Sequence, residues 1–596
     1  MKRILSLLIC LCLTAGLSLP ASAEDAALIS LSEMDASWSV EGVTLRNGVL
    51  TISRAGSYTL TGTLTGQLAV ALESAGDLTL TLRDLSVTCS DGPALLITGA
   101  EDAYLVLEGD SRLISGEPVE ITQETAAGED ASGATLQAKC DLHIDGTGSL
   151  FIGGYLHQGI RTSKDLSLDG GTLTIEAVGS GIRCKDKLRV GGGSVTITSG
   201  GDGIHAATEA TDTEEADGDA VISGGTLTIT ALGDAIQSET SLTVSGGTLS
   251  ALTGGGSAQA VTTYGSDRNR GFDFGFRWDM DTASDDTPST KGLKAETDLT
   301  ITGGAITLDC LDDALHAGGT IAISGGALTL SSGDDGIHSD GALTISGGTL
   351  DVLTSYEGLE GNVITVEDGI ISVVSSDDGL NASGGTASAF GGFAMGGKGG
   401  RGTMGGFGAP GDGGDPGAGT GTEPTDSGAA FPSLVISGGT LRVNAQGDGL
   451  DSNGNLLVSG GLVLVDGPSS SGNGALDAGT ESGGTLSVTG GTVLAIGAGG
   501  MMEAFGSGST QPFLVVSASW QAGDELVFTA ADGTELLRHT AAKSGQSIVF
   551  SCPGLQEGDA VTVTVGSGST TATAGFSGTG SGRGGFGGGS GGRKGW

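Results

Sequence analysis

Apolar and polar residues alternate in short runs along most of this chain. Leu173/Ile175, Val195/Ile197, Leu227/Ile229 and Leu328/Leu330 are each two residues apart. A period of two belongs to a strand with one buried face; a helix would repeat near 3.6. The runs come in pairs about a Gly-Gly corner, as in Leu343-Thr344-Ile345-Ser346-Gly347-Gly348-Thr349-Leu350. An acidic turn separates one pair from the next, as in Gly333-Asp334-Asp335-Gly336-Ile337-His338.

The turns recur at a fixed interval. Their anchors are Gly159, Gly181, Gly203, Ala235, Gly292, Ala314, Gly336, Gly358, Gly379, Gly449 and Ala475. Gly159, Gly181 and Gly203 are 22 residues apart, as are Ala314, Gly336 and Gly358; the next interval is 21. A constant period in this range predicts a solenoid. Helix-forming runs are absent, which argues against a leucine-rich horseshoe. The predicted fold is an all-β, right-handed parallel β-helix with coils of roughly 22 residues. One coil cannot bury its own Leu and Ile side chains, so its neighbours must supply both the hydrogen bonds and the apolar contacts. About a dozen coils at ~4.8 Å spacing would make a rod on the order of 55–60 Å long. Glycine at the corners supplies the positive φ that a sharp bend needs.

Interruptions and ends divide the chain. Residues 1–23 read as a secretory signal, with Lys2 and Arg3, an apolar stretch from Leu5 to Leu19, and Ala21-Ser22-Ala23 at the cleavage site. Residues 24–135 alternate but lack the acidic turns, and are expected to form an N-terminal β cap or irregular first coils. Residues 136–505 form the helix proper, with insertions at 207–218, 264–290 and 383–430. The last of these is Gly/Pro-rich and is expected to be disordered. Residues 506–572 read as a small β-sandwich cap, and 573–596 as a flexible Gly-rich tail.

Composition narrows the partners. The formal charge is −44, from 70 acidic and 26 basic side chains. Loss of Lys2 and Arg3 with the leader would take it to −46. Nucleic acid is excluded as a partner by like-charge repulsion, whereas divalent cations are favoured. No later apolar run is long enough to span a bilayer, so no membrane insertion is expected after signal removal. The expected location is extracellular, in the medium or loosely on the cell surface. Five cysteines follow the leader: Cys89, Cys140, Cys184, Cys310 and Cys552. An odd number without metal-ligand spacing predicts buried thiols rather than a disulfide framework.

The acidic turns carry the candidate chemistry. They supply Asp202, Asp234, Asp312, Asp313, Asp334, Asp335, Asp377, Asp378 and Asp448. Because their spacing matches the coil, these carboxylates are expected on one edge, one above another. Calcium–oxygen bonds of about 2.3–2.6 Å place ligands across an ion roughly 4.6–5.2 Å apart, close to the strand spacing. Ca2+ is therefore the expected cofactor; magnesium, with shorter octahedral bonds, fits worse. A single Asp-Gly also makes a good turn by itself, but doubled aspartates exceed what a turn requires. Asp451, Asp477, Glu357 and Glu360 are weaker ligand candidates. His205, His316 and His338 each follow a turn and each stand alone in their coil, so they read as outward polar residues rather than transition-metal ligands.

A resemblance joins these features. Lys291-Gly292-Leu293-Lys294, Leu311-Asp312-Asp313-Ala314-Leu315-His316, Asp334-Asp335-Gly336-Ile337-His338 and Ser355-Tyr356-Glu357-Gly358-Leu359-Glu360 run in order. Asp377-Asp378-Gly379-Leu380-Asn381, Gly447-Asp448-Gly449-Leu450-Asp451-Ser452-Asn453-Gly454 and Ser471-Gly472-Asn473-Gly474-Ala475-Leu476-Asp477 follow. In this order and content the sequence resembles the carbohydrate-binding, calcium-containing right-handed β-helix proteins of clostridia and related bacteria. The resemblance implies secretion, calcium on the helix, binding of cellulose-like or polyuronate polysaccharides, and likeness to pectate lyase folds without established catalysis. It transfers no ligand contact to a numbered residue here.

Three functions compete. A non-catalytic binding protein would use calcium to bridge its acidic edge to uronic acids, with Tyr264, Phe272, Phe274, Phe276 and Trp278 stacking on sugar rings. A calcium-dependent polysaccharide lyase would need a base beside the uronate, for which Lys185, Lys187 and Lys294 are the candidates. A structural or adhesive cell-surface protein is the third.

Overall fold

The computed structural model describes residues 26–31, 40–127, 133–208, 217–260, 289–383 and 431–577. Residues 1–25, most of 207–218, 264–290 and 383–430, and most of 573–596 lie outside the described residues. Within them the chain is all-β apart from short 3-10 turns such as Ser257–Gln259 and Thr480–Ser482. No helix among the described residues is long and apolar enough to cross a membrane.

Three strands make one unit. Ile182–Cys184, Leu188–Val190 and Ser194–Ser199 pair in parallel with Ile204–Ala206, Ala220–Ile222 and Thr226–Ala231 of the next unit. Each strand thus pairs with the strand three further along, giving one long, mostly parallel sheet. Where no insertion intervenes the register advances by the period of the sequence: Leu293 pairs with Leu315, and Leu315 with Ile337. The second glycine of each corner takes the left-handed conformation that its position requires, with φ of 73° at Gly193 and 92° at Gly326.

Alternation decides which side chains enter the core. In Thr226–Ala231 the residues Leu227, Ile229 and Ala231 are buried, while the threonines between them face out. Register then stacks like on like, so Val195, Leu227, Leu249, Ile306, Leu328 and Leu350 form one continuous apolar column. All belong to a single hydrophobic cluster running from Ile29 to Val549. The five cysteines are free and buried, as their odd number predicts.

The two ends differ. Val43–Arg46 and Val49–Ile52 form an antiparallel hairpin through Asn47-Gly48, both at positive φ. From Gly56 onward the stacking is already parallel: Gly56–Thr65, Leu78–Cys89, Asp102–Glu108 and Asp141–Gly146 follow one another. At the other end Thr492–Gly497 pairs antiparallel with Gly545–Ser551, which pairs antiparallel with Phe513–Trp520. A separate four-stranded antiparallel sheet, spanning Glu525–Ala530 to Gly568–Thr573, packs Phe528 on Phe550 at 4.2 Å between ring centres. Trp520 and Leu526 join that second apolar cluster.

Leu315 is fully buried between register partners above and below. Leu315→Ala is expected to cost about 2–5 kcal/mol through lost burial and an unfilled void. Thr307→Ala, on an outward position of the same sheet, should change stability by less than about 0.5 kcal/mol. Denaturant unfolding of both variants checks the inside–outside assignment.

Candidate metal centre

The acidic turns stack because their backbones bond to each other. Gly181 N donates to the Asp202 carbonyl, Gly203 N to Asp234, Gly292 N to Asp313, and Ala314 N to Asp335. Gly336 N, Gly358 N and Gly379 N continue the series to Glu357, Asp378 and Asp448. One position of the turn therefore forms a column: Ser180, Asp202, Asp234, Lys291, Asp313, Asp335, Glu357, Asp378 and Asp448. Six of the nine aspartates singled out from sequence lie in it. The other three, Asp312, Asp334 and Asp377, sit immediately before a column member.

Each column aspartate divides its two oxygens between two tasks. Oδ1 accepts the backbone N–H of the next turn: Asp234 N to Asp202 at 3.0 Å, Lys291 N to Asp234 at 2.6 Å, and Asp335 N to Asp313 at 3.1 Å. The same bond runs from Asp448 N to Asp378 at 2.6 Å and from Gly474 N to Asp448 at 2.5 Å. This explains the Gly-Asp pairs. A Cβ at Gly233 would collide with Asp202 Oδ1, and one at Gly447 with Asp377 Oδ1 and Asp378 Oδ1.

Oδ2 faces a second column, three residues further along each unit. Its register runs Arg161, Arg183, His205, Gln237, Lys294, His316, His338, Glu360, Asn381 and Asp451. The edge is thus basic at one end and acidic at the other. In the middle the second column sets side-chain nitrogens beside the aspartates, although Oδ2 of Asp202 and of Asp234 has no hydrogen-bond partner among the described residues. His205 Nδ1 lies 3.2 Å from Asp202 Oδ2, and Lys294 Nζ 3.8 Å from Asp234 Oδ2. Lys291 Nζ and His316 Nδ1 meet Asp313 Oδ2 at 2.6 and 3.0 Å, and His338 Nδ1 meets Asp335 Oδ2 at 2.9 Å.

His316 and His338 are part-exposed between buried neighbours, as outward residues should be. His205 is only 4% exposed, so it is not an outward residue. His316 and His338 are register partners with ring centres 5.1 Å apart. The available signal was their separation by one period, the same signal that aligned the aspartates. Lys291 within the acidic column was also missed. Of the three lysines weighed as bases, Lys187 is bound at 2.8 Å to Asp217, a contact that raises its pKa, and Lys294 lies 3.4 Å from Glu296. Lys185 is held below its ordinary pKa by burial and by Arg161 and Arg183.

Beyond Glu360 the balance fails. Among the described residues no basic side chain pairs with Asp377, Asp378, Asp448 or Asp451. Burial, reinforced by Asp448 and Asp377, pushes Asp378 up to about 7. Burial does the same to Asp448, and with Asp378, Asp448 and Asp477 nearby it takes Asp451 to about 8. Glu357 rises to about 10, from burial and then Asp335 and Glu360. His338 goes the other way: burial lowers it, but its bonds to Asp335 and Glu360 prevail and raise it to about 12. Tyr264, Phe272, Phe274, Phe276 and Trp278 lie outside the described residues.

Against this geometry stand three likenesses. A family model described as "Carbohydrate-binding domain-containing protein" matches residues 46–336. A curated protein of the same description from Acetivibrio thermocellus is 28% identical over 140 residues, 23% of this chain and 48% of that protein. The chain therefore spans about half the length of the curated relative it matches. A solved structure of the polysaccharide lyase-like protein from C. thermocellum, a gadolinium derivative, is 28% identical with a TM-score of 0.33, covering 38% of this chain and 90% of that one.

Asp234 is fully buried, and burial followed by the Asp202 charge raises its pKa to about 6. The folded protein then holds this proton to higher pH than the unfolded chain does. The stability it contributes is present below about pH 4 and is lost as pH rises through about 6. Relative to Asp234→Asn, which keeps the acceptor but cannot ionise, the wild type should lose on the order of 2–3 kcal/mol between pH 4 and 7. Urea unfolding at both pH values measures this difference; a flat one would show the carboxylate to be solvated.

Proposed function

We propose that this chain is a secreted, non-catalytic, calcium-dependent binding protein for plant-type or acidic polysaccharides. In this proposal the three-strand units wind as a right-handed parallel β-helix of roughly 22-residue coils, closed at each end by a β cap. The likeness to carbohydrate-binding domains over residues 46–336 supports the ligand class.

One observation carries the calcium assignment. The run from Glu357 through Asp377, Asp378, Asp448 and Asp451 is acidic in the turn column and, but for Asn381, in the strand column, and it lacks a pairing cation at its four aspartates among the described residues. Oxygen-only ligands from successive turns, about 4.8 Å apart, suit a calcium ion with its six to eight bonds of about 2.3–2.6 Å. The sequence reading spread calcium over all nine aspartates. The ions are better placed at this end, because Lys291 already meets Asp312 and Asp313, and His338 meets Asp335. Bound calcium would then offer its remaining positions to uronate carboxylates, joining two polyanions that otherwise repel. Tyr264, Phe272, Phe274, Phe276 and Trp278 would add stacking faces for sugar rings.

A lyase remains the second reading, favoured by Lys185. Burial and the charges of Arg161 and Arg183 hold this lysine below its ordinary pKa, the direction a general base needs. Ultraviolet absorbance of unsaturated products during incubation with polygalacturonate distinguishes it.

Calcium at 100-fold over its dissociation constant should add about 2.7 kcal/mol of stability, seen as a higher Tm. The double variant Asp378→Asn/Asp448→Asn should lose most of that increment. Polygalacturonate binding should need calcium. Equal retention on a polygalacturonate column with and without chelator would sink calcium bridging.

A further inference from the structure

The strongest untouched feature is a mixed site one turn before the acidic run. Asp335, His338 and Glu360 bring one ligand atom each to within 4.8 Å of the others. His338 Nδ1 lies 2.9 Å from Asp335 Oδ2 and 3.0 Å from Glu360 Oε2. Asp335 comes from the turn column, and His338 and Glu360 are register partners in the strand column.

Every ligand is held from behind. Asp335 Oδ1 accepts Glu357 N at 3.3 Å, and Glu360 Oε1 accepts Ser383 Oγ at 3.0 Å. His338 Nε2 lies 3.2 Å from Asp340 Oδ1. A proton on Nδ1 now bridges His338 to the two carboxylates. With that proton displaced and Nε2–H donated to Asp340, Nδ1 and two carboxylate oxygens would face one point, an arrangement that suits a metal cation. A carboxylate behind a histidine that faces further ligands is the usual outer support of a histidine metal ligand.

The neighbouring histidines lack this opening. Arg183 Nη1 already lies 3.0 Å from His205 Nδ1. At His316 the facing oxygen, Asp313 Oδ2, is bound by Lys291 Nζ at 2.6 Å. Both other candidate clusters contain Asp313 and share that obstacle. No lysine or arginine pairs with Asp335, His338 or Glu360 among the described residues.

We propose that Asp335, His338 and Glu360 form a transition-metal site, selective for a borderline divalent cation such as zinc. An imidazole nitrogen with two carboxylates suits zinc, whereas calcium prefers oxygen alone. Tetrahedral zinc with bonds of about 2.0–2.2 Å separates its ligands by roughly 3.3–3.5 Å. The present distances of 2.9 and 3.0 Å therefore open by a few tenths of an ångström when metal replaces the proton on Nδ1. His338 and Glu360 side chains are 28% and 20% exposed, which leaves a fourth position for water or a ligand oxygen.

The test uses the full chain and the metal alone. After chelator treatment and dialysis, zinc is titrated by calorimetry in excess calcium, which saturates oxygen-only sites. Cobalt(II) substitution is followed by visible absorption. One tight zinc per chain and tetrahedral cobalt bands are expected. His338→Gln and His338→Ala should each weaken that site at least tenfold and remove the bands. Asp340→Asn should weaken it 10–100-fold, and His316→Gln should leave a tight site in place. Far-ultraviolet circular dichroism identifies any variant that fails to fold; the His338→Gln and Asp340→Asn results decide in that event. Zinc stoichiometry and affinity equal in wild type and His338→Gln, or cobalt spectra of oxygen-only octahedral ions, would overturn the site. Calcium binding near Asp378 and Asp448 is measured separately, and neither result decides the other.

Discussion

Parallel register is the constraint on which everything else depends. When strands pair in parallel at a constant period, each residue lies about 4.8 Å from its counterpart in the next unit. Apolar positions gain from this, since Leu lands on Leu and the core extends without gaps. Charged positions do not. A carboxylate repeated at one place in the sequence becomes a column of like charges, partly buried, where repulsion and desolvation act together. The fold can keep such a column only if something offsets it at every level.

Three offsets appear along one edge. The first is the backbone: one oxygen of each column aspartate takes the N–H of the following turn, so the carboxylate satisfies a donor that has no strand partner. The second is the adjacent column, where His205, Lys294, His316 and His338 stand opposite Asp202, Asp234, Asp313 and Asp335. The third is needed where the second column turns acidic, from Glu360 to Asp451. There the remaining responses are proton uptake, visible in the raised values of Asp378, Asp448 and Asp451, or a metal ion. The identity of the second-column residue thus selects what the aspartate binds.

Much of this was legible in the sequence, because a period is a one-dimensional signal. The 22-residue interval, the period-two runs and the glycine corners correspond to the register, the buried columns and the positive φ values observed. The acidic column followed from the same interval. What escaped was the second column. His316 and His338 were judged within their own units, where each is alone, although the interval between them is the same 22 residues. Lys291 was legible too: an insertion separates it from Asp234, but it stands 22 residues before Asp313 and directly before the anchor Gly292, which is the place of a column member. The division of labour between Oδ1 and Oδ2 has no sequence signal except the glycine preceding Asp234 and Asp448.

That division separates the roles that a single aspartate plays. An oxygen bonded to backbone contributes to holding two turns in register whether or not the residue is charged, and an asparagine can keep it. The other oxygen carries the choice of cation, and there the charge matters. Structural and ionic functions therefore occupy one side chain without being the same function. The column varies its partner from histidine to lysine, level by level, while the stacking beneath it stays unchanged. On this account the acidic edge is first a device for joining turns, and the oxygen that the backbone leaves over is what any proposed metal would have to use.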